Sequence, residues 1–298
     1  MPTLLAALHP AIAIMKLSGE GVRDYLQGQL TQDVRRLSPQ LGIHAALLTP
    51  QGKAAGELEL IEGNRGDLIM LVPAVAAEAM VARLRNFALG YKLRIGIVGA
   101  LGVLSLQGEG CNEALAALGL PAPAATRLSV AGSSAEELFV LRLPEAATDG
   151  VWIVADCAHL ADLNAQLDGV DELLLEQARI RHGHPRFGAE WDGSEFPLNC
   201  NLLEFDGVSF DKGCYVGQEV TARMRWRGGI RKRLYRVGSA AALSAPQPLL
   251  LDGRNIGELR AADGMFGIAQ LTIAEVGQGG EICTADGVAL ALLGACSA

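Results

Sequence analysis

Lys212-Gly213-Cys214-Tyr215-Val216-Gly217-Gln218-Glu219 sets one thiol between two glycines and two residues from an ammonium. Flanking glycines let a backbone turn sharply or approach a ligand closely. A nearby cation favours the thiolate, the form of cysteine that attacks electrophiles and binds soft metals. The spacing admits two readings. In one, Cys214 is an accessible, reactive thiol assisted by Lys212. In the other, Gly213 and Gly217 bound a tight turn, Cys214 packs inward and Lys212 is merely solvated. The remaining cysteines, Cys111, Cys157, Cys200, Cys283 and Cys296, are dispersed without a C-x-x-C pair, so no zinc cage or ferredoxin-type cluster is written locally. They are expected to be small buried hydrophobes. His182-x-His184 brings two imidazoles without a third ligand at helical spacing, and is expected to line a cavity or cap the preceding helix rather than to hold a metal.

The elements that must position these groups follow from length and periodicity. A chain of 298 residues, half apolar and 19% charged, without repeats, reads as two folded domains or three small ones. No apolar run reaches the roughly 18 residues that span a bilayer, and the start lacks the pattern of a secretory signal, so no membrane partner and a cytosolic location are expected. Ile12 and Ile14 predict a first strand. Gly19 to Asp24 then opens a helix in which Val22, Tyr25, Leu26, Gln29 and Leu30 share a face, with Gln29 an unusual polar member. Ala45–Leu48, Gly56–Ile61 and Leu68–Val72 read as a meander, and Pro73 starts a helix whose expected stripe is Val75, Ala79, Leu84 and Phe87 before Gly90 ends it. Strand-like runs at Gly102–Leu106, Leu138–Arg142 and Val151–Val154 precede helices over Ala158–Leu167 and Asp171–Arg181, the second stopped by Gly183. Beyond Arg233, short β-like runs punctuated by Asp252-Gly253, Asp263-Gly264 and Asp286-Gly287 predict a small antiparallel barrel or sandwich.

KGCYVGQE followed by Thr221-Ala222-Arg223 resembles the signature of the YgfZ family, relatives of the T-protein (aminomethyltransferase) of the glycine cleavage system. Tyr25-Leu26-Gln27-Gly28-Gln29-Leu30-Thr31-Gln32-Asp33 is similar to that family's F-L-Q-G-Q-x-T-x-D stretch, and Arg179-Ile180-Arg181-His182-Gly183-His184-Pro185 is a weaker echo of R-I-x-x-G-x-P. With Pro197, these segments spread the resemblance over essentially the whole chain. It implies an α+β, T-protein-like fold around a central folate cavity with a C-terminal antiparallel β-barrel. The expected boundaries are 1–95, 96–230 (ending in the cysteine loop) and 231–298. It further implies binding of tetrahydrofolate or a derivative, and support of iron-sulfur client or assembly proteins and, through them, of tRNA modification. An accessory factor is expected rather than an enzyme, with a folate-dependent aminomethyl transferase and a tRNA- or partner-binding module as alternatives.

A folate site needs acceptors for pterin N–H groups, a flat slot for the rings and cations for the glutamate carboxylates. The candidates are Gln29, Asp33, Gln218 and Glu219 as polar partners, Tyr215 and Trp226 as flat surfaces, and Arg179, Arg223 and Lys212 as cations. Two departures bear on the chemistry. The hairpin Gln51-Gly52-Lys53-Ala54-Ala55-Gly56-Glu57 lacks the paired aspartates of T-proteins, and no Y-T-G-E-type stretch is recognisable between Leu128 and Leu143. Finally, Arg223, Arg225, Arg227, Arg231, Lys232, Arg233 and Arg236 crowd into one stretch of a chain of formal charge −8. That overall sign argues against general nucleic-acid binding. The stretch itself stays open to three readings: a solvated face, a dock for a partner or folate tail, or a nucleic-acid contact with Trp226 for stacking.

Overall fold

Ile12 to Leu17 and Leu68 to Val72 are apolar at nearly every position, so strands built from them need cover on both faces. The computed structural model describes residues 4–133, 137–143 and 150–297. Along the chain come β1 (Leu4–Leu8), β2 (Ile12–Ser18), α1 (Val22–Gln27), β3 (Ile43–Leu48), β4 (Ala54–Glu62), β5 (Leu68–Pro73), α2 (Ala77–Phe87) and β6 (Arg94–Ile97). Next are β7 (Leu101–Gly108), α3 (Cys111–Ala117), β8 (Val130–Ser133), β9 (Leu138–Arg142), β10 (Gly150–Asp156), α4 (Cys157–Gln166), α5 (Glu172–His182) and α6 (Gln218–Trp226). The C-terminal part holds β11 (Lys232–Ser239), β12 (Gln247–Leu251), β13 (Arg254–Asp263), β14 (Phe266–Thr272), α7 (Ile273–Val276), β15 (Ile282–Thr284) and β16 (Ala289–Ala295).

The first sheet has the order β3-β4-β5-β2-β6, antiparallel at every pairing. Its alternating side chains divide cleanly: Ile12, Ile14, Ile61, Ile69 and Leu71 meet Val103, Leu141, Trp152 and Val154 of a second sheet. Met15, Leu17, Leu60, Leu68 and Met70 face the helical side with Tyr25, Leu26, Met80 and Leu84. The second antiparallel sheet runs β1-β7-β10-β9-β8 and buries its outer face under α3 and α4 through Cys111, Leu115, Leu160 and Leu163. β1 belongs to this second sheet although β2, a few residues on, belongs to the first, so the N-terminal segment serves both layers. β11-β14-β13-β12-β15-β16 close into a barrel. Asp252 and Gly253, with φ of 51° and 77°, form the tight β12–β13 turn.

Two expectations are corrected here. The buried stripe of α2 is Ala77, Met80, Val81 and Leu84, while Val75 and Phe87 are exposed. The chain enters α2 through a short 3-10 turn at Ala74–Ala76, which rotates the helix relative to a start at Pro73. Cys157 is exposed rather than buried, because it opens α4 at the surface behind the Asp156 cap. Residues 134–136, inside the segment where the Y-T-G-E-type stretch is missing, lie outside the described residues. No helix among the described residues is long and apolar enough to cross a membrane.

Candidate thiol and ligand site

α1 is only six residues long, and its partners set the course of the loop beyond it. Tyr25 is buried and its hydroxyl donates to the carbonyl of Leu84 (2.6 Å), pinning the helix to α2. Past Gly28 the chain turns inward: Thr31 N–H donates to Ala46 O (3.1 Å), Ala46 N–H returns to Thr31 Oγ1 (2.8 Å), and that hydroxyl donates to Gly207 O (2.6 Å). Gln27 straddles the loop, accepting from Val34 N–H (2.8 Å) and donating to Asp33 Oδ1 (2.9 Å). Asp33 caps the 3-10 turn Val34–Arg36 and pairs with Arg35 (2.8 Å). The Arg35 guanidinium holds its carboxyl down at about 2. So wound, the loop converges the carbonyls of Gln27, Leu30 and Gln32 on one point.

Lys212 occupies that point. Its Nζ donates to Gln27 O (2.8 Å), Leu30 O (2.7 Å) and Gln32 O (2.9 Å), and lies 5.0 Å from the centre of the Tyr215 ring. Three acceptors use the full complement of an ammonium. Burial pushes its pKa down to about 8, yet the geometry is built for the charged form. Val216 N–H to Gly28 O (3.1 Å) and Ser209 N–H to Thr31 O (3.0 Å) complete the seam between two segments some 180 residues apart. Lys212 is therefore neither solvated nor spent on the thiol; it ties the cysteine loop down.

The two glycines around Cys214 do different work. Gly217 caps α6 with φ of 83°, and a Cβ there would fall 2.6 Å from Thr49 O and 2.8 Å from Leu48 Cβ. Opposite it, a Cβ on Gly52 (φ 77°) would fall 2.7 Å from Val220 Cβ, so the β3–β4 hairpin tip and the start of α6 are in close contact. Gly213 meets nothing within 4 Å. Between them Tyr215, not Cys214, is the inward-packing residue: it sits with Ala46, Leu48, Leu198, Leu202 and Met224, and burial pushes its phenol up to about 12. Gln218 Oε1 accepts from Tyr215 N–H (3.0 Å) and closes the turn. The Cys214 thiol is left exposed.

The other candidates divide. Gln29 is buried, and its side-chain oxygen has no hydrogen-bond partner. Arg179, expected as a cation for a glutamate tail, is instead buried between Glu190 (2.7 Å) and Glu176, with its guanidinium also donating to His184 O. Its weak sequence motif thus holds α5 to the loop after it, and the His184 N–H caps the helix at Arg179 O (3.1 Å) while its ring stacks edge-on against Phe205. Asp33 is likewise committed to Arg35 and Gln27. Glu219 and Arg223 pair with each other on the exposed face of α6. Trp226 stands at the outer end of that helix, 71% exposed, 6.0 Å from Phe210. Gln27, Thr31 and Gln32 stand in the Tyr25–Asp33 signature stretch without a role assigned from sequence; the fold shows them building the loop that receives Lys212. Among the described residues no group of three or more His, Cys, Asp or Glu is placed to hold a metal ion.

Comparison with known proteins bears on the fold and the family. The family described as CAF17, C-terminal beta-barrel domain, matches residues 231–293. A glycine cleavage system aminomethyltransferase T from Bartonella henselae superposes with a TM-score of 0.85, covering 99% of this chain and 85% of its own at 17% identity, which establishes the shared fold. "tRNA-modifying protein YgfZ" from Vibrio vulnificus is 30% identical over 263 residues, 87% of this chain and 77% of that protein. The Escherichia coli protein of the same name is 30% identical over 78% of this chain and 71% of its own length. Identity at this level over most of both partners, with both signature segments meeting in one seam, makes the chain a member of the YgfZ family.

Proposed function

We propose that this protein is a cytoplasmic, folate-binding accessory factor that sustains iron-sulfur enzymes, among them enzymes that modify tRNA, and that it does not transfer aminomethyl groups. The observation that carries the reading is the seam itself: Lys212 binds three carbonyls of the Gln27–Gln32 loop, and the cysteine loop so fastened leaves the Cys214 thiol exposed. The relatives are named for tRNA modification, and the fold is that of an aminomethyltransferase.

The residues fit a reduced folate at one definite point. Gln29 Oε1 is a buried acceptor without a donor, and a pterin ring edge supplies N–H donors. Such a ligand, when bound, brings a carrier of one-carbon units. Against transfer stands the β3–β4 hairpin. Its tip is filled by the contact of Gly52 with Val220, and the carboxylates along β4 are committed: Glu57 is buried and accepts from Phe187 N–H (2.5 Å), Glu59 meets His44 (3.1 Å) and Glu62 pairs with Arg23 (2.6 Å). The tip from Gln51 to Glu57 carries no aspartate pair to act on a one-carbon unit.

Titration calorimetry with tetrahydrofolate, paired with an aminomethyl-transfer assay, tests both halves. Binding without turnover is expected. In Gln29→Leu the affinity should fall roughly tenfold, while the fold gains about 1 kcal/mol because a stranded acceptor is removed. Measurable transfer, or a Leu variant that binds folate as the parent does, refutes the assignment. Cys214→Ser should keep folate affinity but fail to restore iron-sulfur enzyme activity in cells lacking the native protein.

A further inference from the structure

We propose that the outer end of α6 is a single-stranded RNA contact, in which an unpaired base stacks on Trp226 and the adjoining phosphates are held by Arg225, Arg227 and Arg231. The inference goes beyond the folate reading and does not depend on it.

Three features of this surface converge. First, Trp226 keeps 71% of its surface in water, whereas Trp152 and Trp191 keep 1% and 4%. An indole held in solvent is a platform awaiting a flat ligand. It is also held in place, since Phe210 packs edge-on at 6.0 Å and the Arg225 guanidinium lies 5.5 Å from the indole and 5.9 Å from the Phe210 ring. Second, the surrounding charge is unbalanced. From Phe210 to Lys232 the only acidic residues are Asp211 and Glu219. Glu219 is taken by Arg223, and Lys212 by its carbonyls. No ion pair engages Arg225, Arg227 or Arg231 among the described residues, in a molecule whose net charge is −8. Third, the backbone returns on itself after the helix: Gly229 N–H donates to Met224 O (3.0 Å), which brings Ile230 and Arg231 back alongside α6 rather than away from it.

These features favour RNA over an acidic protein. Protein interfaces also draw on aromatic residues and Arg, but their buried centre is an apolar patch depleted in charge, set inside a polar rim. Here the aromatic pair is ringed by arginines, the composition of grooves that track a phosphate backbone while bases stack. Phe210 belongs to the same loop that Lys212 anchors and that carries Cys214, so bound RNA would contact the loop that presents the exposed thiol.

The test uses the intact protein and a single-stranded oligoadenylate of about 12 nucleotides, within the site sizes such platforms cover. Because Trp226 is the one exposed tryptophan, quenching of intrinsic fluorescence reports contact with it directly. Quenching is expected at about 50 mM salt, with affinity falling steeply toward about 200 mM. By anisotropy of labelled RNA, Trp226→Ala should bind roughly 5- to 100-fold more weakly. R225Q/R227Q should flatten the salt slope by about 0.7 for each phosphate released from an arginine. Both variants should melt as the parent does. Absence of quenching, a Trp226→Ala affinity within twofold of the parent, or equally tight binding of an oligoglutamate peptide would overturn the proposal. Failure of RNA binding with folate titration intact sinks this inference alone, and the converse sinks only the function proposed above.

Discussion

Replacing Lys212 by Met keeps the length of the side chain and removes the one group on which three carbonyls converge. Each stranded acceptor costs about 1–3 kcal/mol. The sum is reduced because the ammonium no longer has to be desolvated and because the loop can relax toward water, so a net loss near ~3 kcal/mol is expected. The loss should be local before it is global, since the seam joins a loop to a loop and partial opening requires no strand to separate. Amide exchange at Val216, whose N–H bonds Gly28 O at 3.1 Å, is therefore the sensitive readout. It should speed up by about two decades, with a smaller shift of the urea midpoint. Lys212→Arg should fall between the two, because a planar fork does not converge on a single point. If Lys212→Met changes stability by less than about 1 kcal/mol and leaves Val216 exchange unaltered, the ammonium is not what fastens the cysteine loop.

Gly217→Ala should cost about 2 kcal/mol or more and loosen the contact with the β3–β4 tip, since both its φ of 83° and the 2.6 Å approach to Thr49 O resist a Cβ, whereas Gly213→Ala, in open space, should change stability by about 0.5 kcal/mol or less; thermal melts of the two variants decide it. Under limited alkylation at neutral pH, mass spectrometry should find Cys214 and Cys157 labelled first and Cys111, Cys200 and Cys296 protected, as burial covers all three and pushes the Cys200 thiol up and Cys296 up to about 12. Burial lowers His9 from 6.5 to about 4, so over that interval the unfolded chain holds the extra proton and stability falls with falling pH; urea unfolding should show the parent losing about 3 kcal/mol more than His9→Gln across it.

The fold was legible where period and punctuation agreed. The meander, α4, α5 and the barrel turns at Asp252-Gly253, Asp263-Gly264 and Asp286-Gly287 all stand where alternation, glycines and aspartates placed them. The stripe of α2 was misplaced because Ala and Val fill both faces there, and only the 3-10 entry sets the phase. β1 escaped notice because Leu4-Leu5-Ala6-Ala7-Leu8 has no alternation, and its partner β7 lies about a hundred residues away. At the site, identity was easier to see than role. A motif shows which residues are present; whether Lys212 faces a thiol, a ligand or a trio of carbonyls depends on the loop brought against it from residues 27–32. Arg179 and Asp33 carried the same ambiguity, since a cation or carboxylate suited to a ligand is equally suited to a protein partner, and the fold supplied the protein partner in both cases.

The span of that seam has a consequence for how the protein comes into being. Gln27 O and Lys212 are 185 residues apart, and at about 5–20 residues per second the ribosome needs on the order of 10 to 40 seconds to supply the second after the first. Throughout that interval the N-terminal sheet can form, but its converging carbonyls have only water to bind. The thiol is presented only once the chain beyond it has emerged, so a stalled or truncated product carries the scaffold without the site, and assembly itself becomes the gate on activity.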